Sequence, residues 1–154
     1  MSELQNAWSE YVAGFAPWLS FWSLTFAEAD RTHDVTRSEA EFLWRRLVQS
    51  LNRDLYGNHY TRIVGHCYFS YALAFEYQKR GVLHMHALVD KRTNWEFANR
   101  LWRMMAGIIK IKPVADLNGV SHYMSKYVTK GGDLVLYRAS VDKEPAFKPL
   151  WYMA

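Results

Sequence analysis

The sequence predicts an α+β domain built on an antiparallel sheet. Three observations carry that expectation. Segments with helical apolar spacing are interleaved with segments dense in aromatic and β-branched residues. A tight polar turn at residues 78–81 (QKRG) joins two strand-like runs as a hairpin. No low-complexity linker, repeat or compositional shift divides the 154 residues, so residues 1–154 read as one domain, and a hydrophobic content of 50% supplies its core.

Residues 2–15 predict a short helix that ends near Gly14 and Pro17, and residues 18–27 (WLSFWSLTFA) a strand that enters the core. Thr36 opens a second helix, because Glu39 completes a capping box and Ala40, Leu43, Leu47, Leu51 and Leu55 recur on one face until Gly57 stops it. The pattern then turns extended over residues 61–66, 68–77 and 82–89, the last two forming the hairpin. Thr93 and Glu96 repeat the capping-box spacing ahead of Phe97, Leu101, Trp102 and Met105, which predicts a helix ending at Gly107. Residues 108–114 alternate as a half-exposed strand with Lys110 and Lys112 outward, and residues 118–130 form a last helix closed by Gly131 and Gly132. Beyond Asp133 the sequence does not decide whether the chain is ordered.

The charge balance, 19 Lys and Arg against 15 Asp and Glu, suits a polyanionic partner without requiring one. A single cysteine, Cys67, excludes an intramolecular disulfide framework and reads as a small buried residue in a reducing compartment. No apolar run reaches the ~20 residues of a membrane span, and the N-terminus lacks a secretory pattern, so the expectation is a soluble intracellular protein with no membrane partner.

His84 and His86 flank Met85 in a predicted strand, so both imidazoles leave one face about 7 Å apart at the backbone. A bare His-x-His is equally a pair of polar residues on a solvent face. The hairpin, however, brings Glu76 opposite His84, and one carboxylate with two imidazoles is a ligand set that leaves positions open on Mg²⁺ or Mn²⁺, although Zn²⁺ also accepts it. The competing role for Glu76 is an edge carboxylate paired with Lys79 or Arg80. Residues 123–130 (YMSKYVTK) overlap two Tyr-x-x-Lys units, which on a helix stack Tyr123 on Tyr127, each with a lysine, Lys126 or Lys130, three residues later. An unperturbed phenol has a pKa of about 10 and needs neighbouring positive charge to become a nucleophile. The same residues also compose an apolar stripe with Val120, Met124 and Val128.

In combination these features resemble the HUH endonuclease superfamily, and within it the rolling-circle replication initiators. Residues 21–26 (FWSLTF) look like the first family motif, His84-Met85-His86 like the metal motif and residues 123–130 like the tyrosine motif, in the initiator order. The paired tyrosines are most similar to those of single-stranded DNA phage initiators. The resemblance implies a central antiparallel sheet of about five strands flanked by helices. It further implies that Glu76, His84 and His86 hold Mn²⁺ or Mg²⁺ and that Tyr123 and Tyr127 form 5′-phosphotyrosine links to single-stranded origin DNA, with Lys126 and Lys130 assisting. A separate helicase, a monomeric state and the cytoplasm of a prokaryotic host complete that expectation. The rival readings are a transposase of the same superfamily and a non-catalytic nucleic-acid-binding domain. His122, beside the first tyrosine, has no assigned role and reads as a surface histidine. DNA-contact candidates are Lys110, Lys112, Arg62, Lys79, Arg80 and the basic tail over 138–148.

Overall fold

The computed structural model describes residues 2–27, 34–77, 82–129 and 133–153. The predicted hairpin turn at residues 78–81, with Lys79 and Arg80, and the predicted site residue Lys130 lie outside the described residues.

The chain opens with α1 (Glu3–Phe15), capped by the Ser2 side chain, which accepts from the Gln5 amide at 3.1 Å. It enters the sheet as β1 (Ser20–Leu24), shorter than the 18–27 run because Trp18 leaves the ladder to donate its indole N–H to the Val12 carbonyl at 2.7 Å. The predicted capping box forms: Thr36 accepts from the Glu39 amide and starts α2 (Arg37–Tyr56), and Gly57, at φ +86°, ends it. α2 buries Ala40, Trp44, Leu47, Val48, Leu51 and Leu55, the apolar face that the spacing marks.

Residues 61–66 depart from the expectation: they are not a strand. Most of this stretch belongs to a short helix, α3 (Tyr60–Val64), which buries Tyr60 and Val64, four residues apart, in the core. The β-branched content of the segment suggested a strand, but burying both ends of an i, i+4 pair against the core overrides propensity. Asn52 of α2 anchors the chain beyond α3, donating to the Val48 carbonyl at 2.7 Å and accepting from the Tyr68 amide at 2.9 Å.

β2 (Tyr71–Tyr77) and β3 (Leu83–Val89) pair antiparallel with Glu76 opposite His84, the register the hairpin predicts. The next helix, α4 (Trp95–Met105), is capped by Asn94 and not by Thr93: the Asn94 side chain accepts from Phe97, whereas the Thr93 hydroxyl is buried without a hydrogen-bond partner. After α4 the chain passes so close to β1 that a Cβ at Gly107 would stand 2.3 Å from the Thr25 carbonyl oxygen, so only glycine fits. β4 (Ile109–Pro113), α5 (Leu117–Thr129), β5 (Asp133–Tyr137) and α6 (Leu150–Met153) complete the order. β5 answers what the sequence left open after Asp133. It pairs with β2, Tyr137 stacks on Tyr71 at 5.2 Å, and Asp133 accepts from the Arg37 guanidinium at the start of α2.

The five strands form one antiparallel sheet in the order β4-β1-β3-β2-β5. Alternation gives each strand two faces. Trp22, Leu24, Leu73, Phe75, Leu83, Met85, Ala87 and Val89 join the main core, to which α2 contributes Trp44, Leu47 and Leu51 and α4 contributes Ala98 and Trp102. The opposite face presents Ala72, Ala74 and Leu88 to Val12, Trp18, Met124 and Tyr127. The small alanines let α5 lie close on the strands, and α1 packs along α5. Cys67 is fully buried, which pushes its thiol up to about 12, so it stays a neutral packing residue at physiological pH. Among the described residues no helix is long and apolar enough to cross a membrane.

Candidate active site

The site lies where α5 crosses the middle of the sheet. Ser23 of β1 is opposite His86 of β3, which is opposite Ala74 of β2, and further along the same pair of strands His84 is opposite Glu76. Directly opposed residues share a face, so Ser23, His84, His86 and Glu76 all project toward α5. From above, Tyr123 and Tyr127 descend one helical turn apart, their rings 5.8 Å from one another.

The side chains interlock. Glu76 Oε2 lies 2.9 Å from His86 Nε2 and accepts the Tyr127 hydroxyl at 3.0 Å, while the Tyr123 oxygen stands 3.4 Å from the same His86 nitrogen. The other ring nitrogen, Nδ1, faces Ser23 Oγ at 3.3 Å. Phe21 stacks on the His86 ring at 5.7 Å, Tyr127 stacks on it at 6.0 Å, and Tyr123 meets it edge-on at 5.3 Å. The Lys126 ammonium lies over the Tyr123 ring, 4.9 Å from its centre. Both sequence readings of α5 therefore hold at once. The tyrosine rings belong to the apolar stripe, and their hydroxyls reach past it to the polar residues of the sheet.

Burial sets the protonation states. It lowers the His86 pKa below the ordinary imidazole value, an effect that the neighbouring Glu76 only partly offsets, so the ring is neutral near pH 7. Burial raises the Glu76 carboxyl, but hydrogen bonds from His86 and Tyr127 and the nearby imidazoles outweigh it, and Glu76 is held below the usual carboxylate range. The contact between them is thus a hydrogen bond from neutral His86 Nε2–H to a carboxylate, which leaves Nδ1 to accept from the Ser23 hydroxyl. Burial, reinforced by Tyr123 and by the Glu76 charge, pushes the Tyr127 phenol far above its ordinary value.

Of the residues singled out from sequence, Glu76, His86, Tyr123, Tyr127 and Lys126 meet in this cluster. His84 occupies the neighbouring position across from Glu76, near enough to act electrostatically on both Glu76 and His86. One carboxylate and two imidazoles on one sheet face have the donor chemistry of a divalent-cation site. As the side chains stand, Glu76 is engaged with His86 and Tyr127, and among the described residues no three His, Cys, Asp or Glu side chains are grouped to hold an ion. His122 is half-buried, its Nδ1 without a partner and its carbonyl accepting from Ser125, and it takes no part in the cluster.

Two contributors were not assigned from sequence. Phe21 and Ser23 alternate with the core residues Trp22 and Leu24, so their shared face was readable, but the partner on that face depends on β1 lying beside β3.

The family described as Replication-associated protein ORF2 matches residues 19–132, well over half of the chain and the whole of the cluster above. No curated protein and no solved structure matches the chain. With every cluster residue inside that span, the chain belongs to the Replication-associated protein ORF2 family.

Proposed function

We propose that this protein is a replication-initiator endonuclease that nicks single-stranded DNA through a tyrosine. The observation that carries the reading is the pair of tyrosine hydroxyls, one helical turn apart, brought onto the Glu76–His86 pair on one sheet face. A structural role alone would be met by phenylalanines, which pack equally well and bring no hydroxyl to a carboxylate.

In this reading Glu76, His84 and His86 hold Mn²⁺ or Mg²⁺, which polarises the scissile phosphodiester and offsets its charge. A tyrosine oxygen attacks phosphorus, the bond from phosphorus to the 3′ oxygen breaks, and the leaving oxygen takes up a proton to become a free 3′-hydroxyl. The phenolic proton passes to water, and the 5′ end remains as a phosphotyrosine. Because a phosphodiester is exchanged for a phosphodiester, the strand can later be rejoined without ATP. Lys126, beside Tyr123, stabilises the developing phenolate and the phosphate, and Lys130 takes that role for Tyr127 by its spacing. Tyr123 acts first: it is only half-buried and its oxygen makes a long contact, whereas Tyr127 is buried and its proton is held by Glu76. The substrate is origin DNA in the cytoplasm of a prokaryotic host, the protein acts as a monomer, and a separate helicase unwinds the duplex.

The test is a covalent adduct on a denaturing gel after incubation with Mn²⁺ and single-stranded oligonucleotides from the replicon. We expect a metal-dependent adduct that weakens in Tyr123→Phe, persists in Tyr127→Phe and vanishes in the double variant. An adduct that survives the double substitution, or none with any origin strand, overturns the reading.

A further inference from the structure

The edge strand β4 carries charge on one face only, and that face is the one occupied by the tyrosine cluster. In the register, Lys110 lies opposite Ser23, which lies opposite His86, and Lys112 lies opposite Phe21, whose ring stacks on His86. Between them Ile109 and Ile111 turn the other way, into the main core. Both lysines have no ion-pair partner among the described residues, and Lys110 is exposed while Lys112 stands beside it on the same open edge. The opposite edge, β5, carries no Lys or Arg. The sheet is therefore basic at one edge only.

We propose that Lys110 and Lys112 form a phosphate-binding track for the single strand that enters the tyrosine site. This rests on the single-stranded DNA reading above and adds the direction from which the strand arrives. With strands about 4.8 Å apart, Lys110 starts about 10 Å from His86 across the sheet, and Lys112 lies a further ~7 Å along the edge. Each ammonium ends a long flexible arm, so the pair reaches phosphates adjacent to one held between His86 and Tyr123. Charge alone on an edge strand has another use, since lysines there deter pairing with other chains. That use asks for charge anywhere along the edge and does not explain why both lysines share the face of the cluster.

Fluorescence anisotropy of a labelled oligothymidylate, in EDTA over a series of salt concentrations, separates the two. We expect Lys110→Gln/Lys112→Gln to bind about tenfold more weakly, with the plot of log affinity against log salt shallower by about 1.4, the counterions of two contacts on a single strand. Lys110→Arg/Lys112→Arg should restore both, and Lys143→Gln/Lys148→Gln, on the tail, should change neither. Thermal melts establish that each variant is folded. Unchanged affinity and slope in the Gln pair, an equal loss in the tail pair, or no binding by the unsubstituted protein overturns the track. Adduct formation measured on the same proteins keeps the readings apart: normal binding with no adduct refutes the tyrosine chemistry and leaves the track standing, and a normal adduct with unchanged binding refutes the track alone.

Discussion

Replacing Tyr127 by Phe removes one hydroxyl and leaves the ring in place, so it isolates the hydrogen bond to Glu76 from the packing of α5. The bond is 3.0 Å long and its acceptor is ionised. Hydrogen bonds to charged groups contribute about 1.5–3 kcal/mol. The Glu76 side chain keeps 36% of its exposure, so water replaces part of the lost partner, and about 1 kcal/mol is the expected loss. For a chain of this length that corresponds to a fall of roughly 3 °C in Tm. Tyr123→Phe loses only a 3.4 Å contact and should cost less than about 0.5 kcal/mol. Urea unfolding at pH 7 in EDTA measures both, and a cycle with Glu76→Gln tests the assignment. The Tyr127→Phe and Glu76→Gln losses should fall short of additivity by about 1 kcal/mol, since each removes the same bond. Additive losses, or a larger cost for Tyr123→Phe than for Tyr127→Phe, would refute the reasoning.

Mn²⁺ should raise the Tm of the protein, by an amount equivalent to about 2.7 kcal/mol at a hundred times its Kd, and should leave a Glu76→Ala/His86→Ala variant unmoved; an equal shift in both proteins would remove these residues from the metal site. Acidification should destabilise the metal-free fold, because both His86 and Glu76 have folded pKa values below their unfolded ones and the unfolded chain therefore takes up more protons. The His86 contribution is lost as pH falls from about 6.5 toward its lowered folded value, and the Glu76 contribution as pH falls from about 4.3 toward its own. Urea midpoints from pH 7.5 to 5.5 should fall less steeply for His86→Gln, and identical slopes would contradict the assignment. Met124 is fully buried between the tyrosines on α5, so Met124→Ala should cost about 2–5 kcal/mol in denaturant unfolding, and a loss under 1 kcal/mol would mean that α5 does not depend on that packing.

Elements whose information is local could be read directly from the chain. The capping box at Thr36, the stop at Gly57, the alternation of β4 and the helix carrying both tyrosines follow from spacings of two to four residues, and the structure contains each. Even the pairing of Glu76 with His84 is local, because a hairpin this short admits few registers. Where local signals compete, as with Thr93 and Asn94 or the β-branched residues of α3, burial against distant residues chose between them.

Which residues form one site was settled by long-range packing instead. Tyr127 and Glu76 are 51 positions apart and Ser23 and His86 are 63 apart, and nothing near any of them encodes the meeting. That depends on strand order, which sets β1 beside β3 and β4 beside β1, and on Ala72 and Ala74, which let α5 settle onto the sheet. Protonation follows from the same packing. The residue types state which groups can titrate, but the burial that keeps His86 neutral, and the Tyr127 and His86 hydrogen bonds that hold Glu76 ionised, exist only when helix and sheet come together.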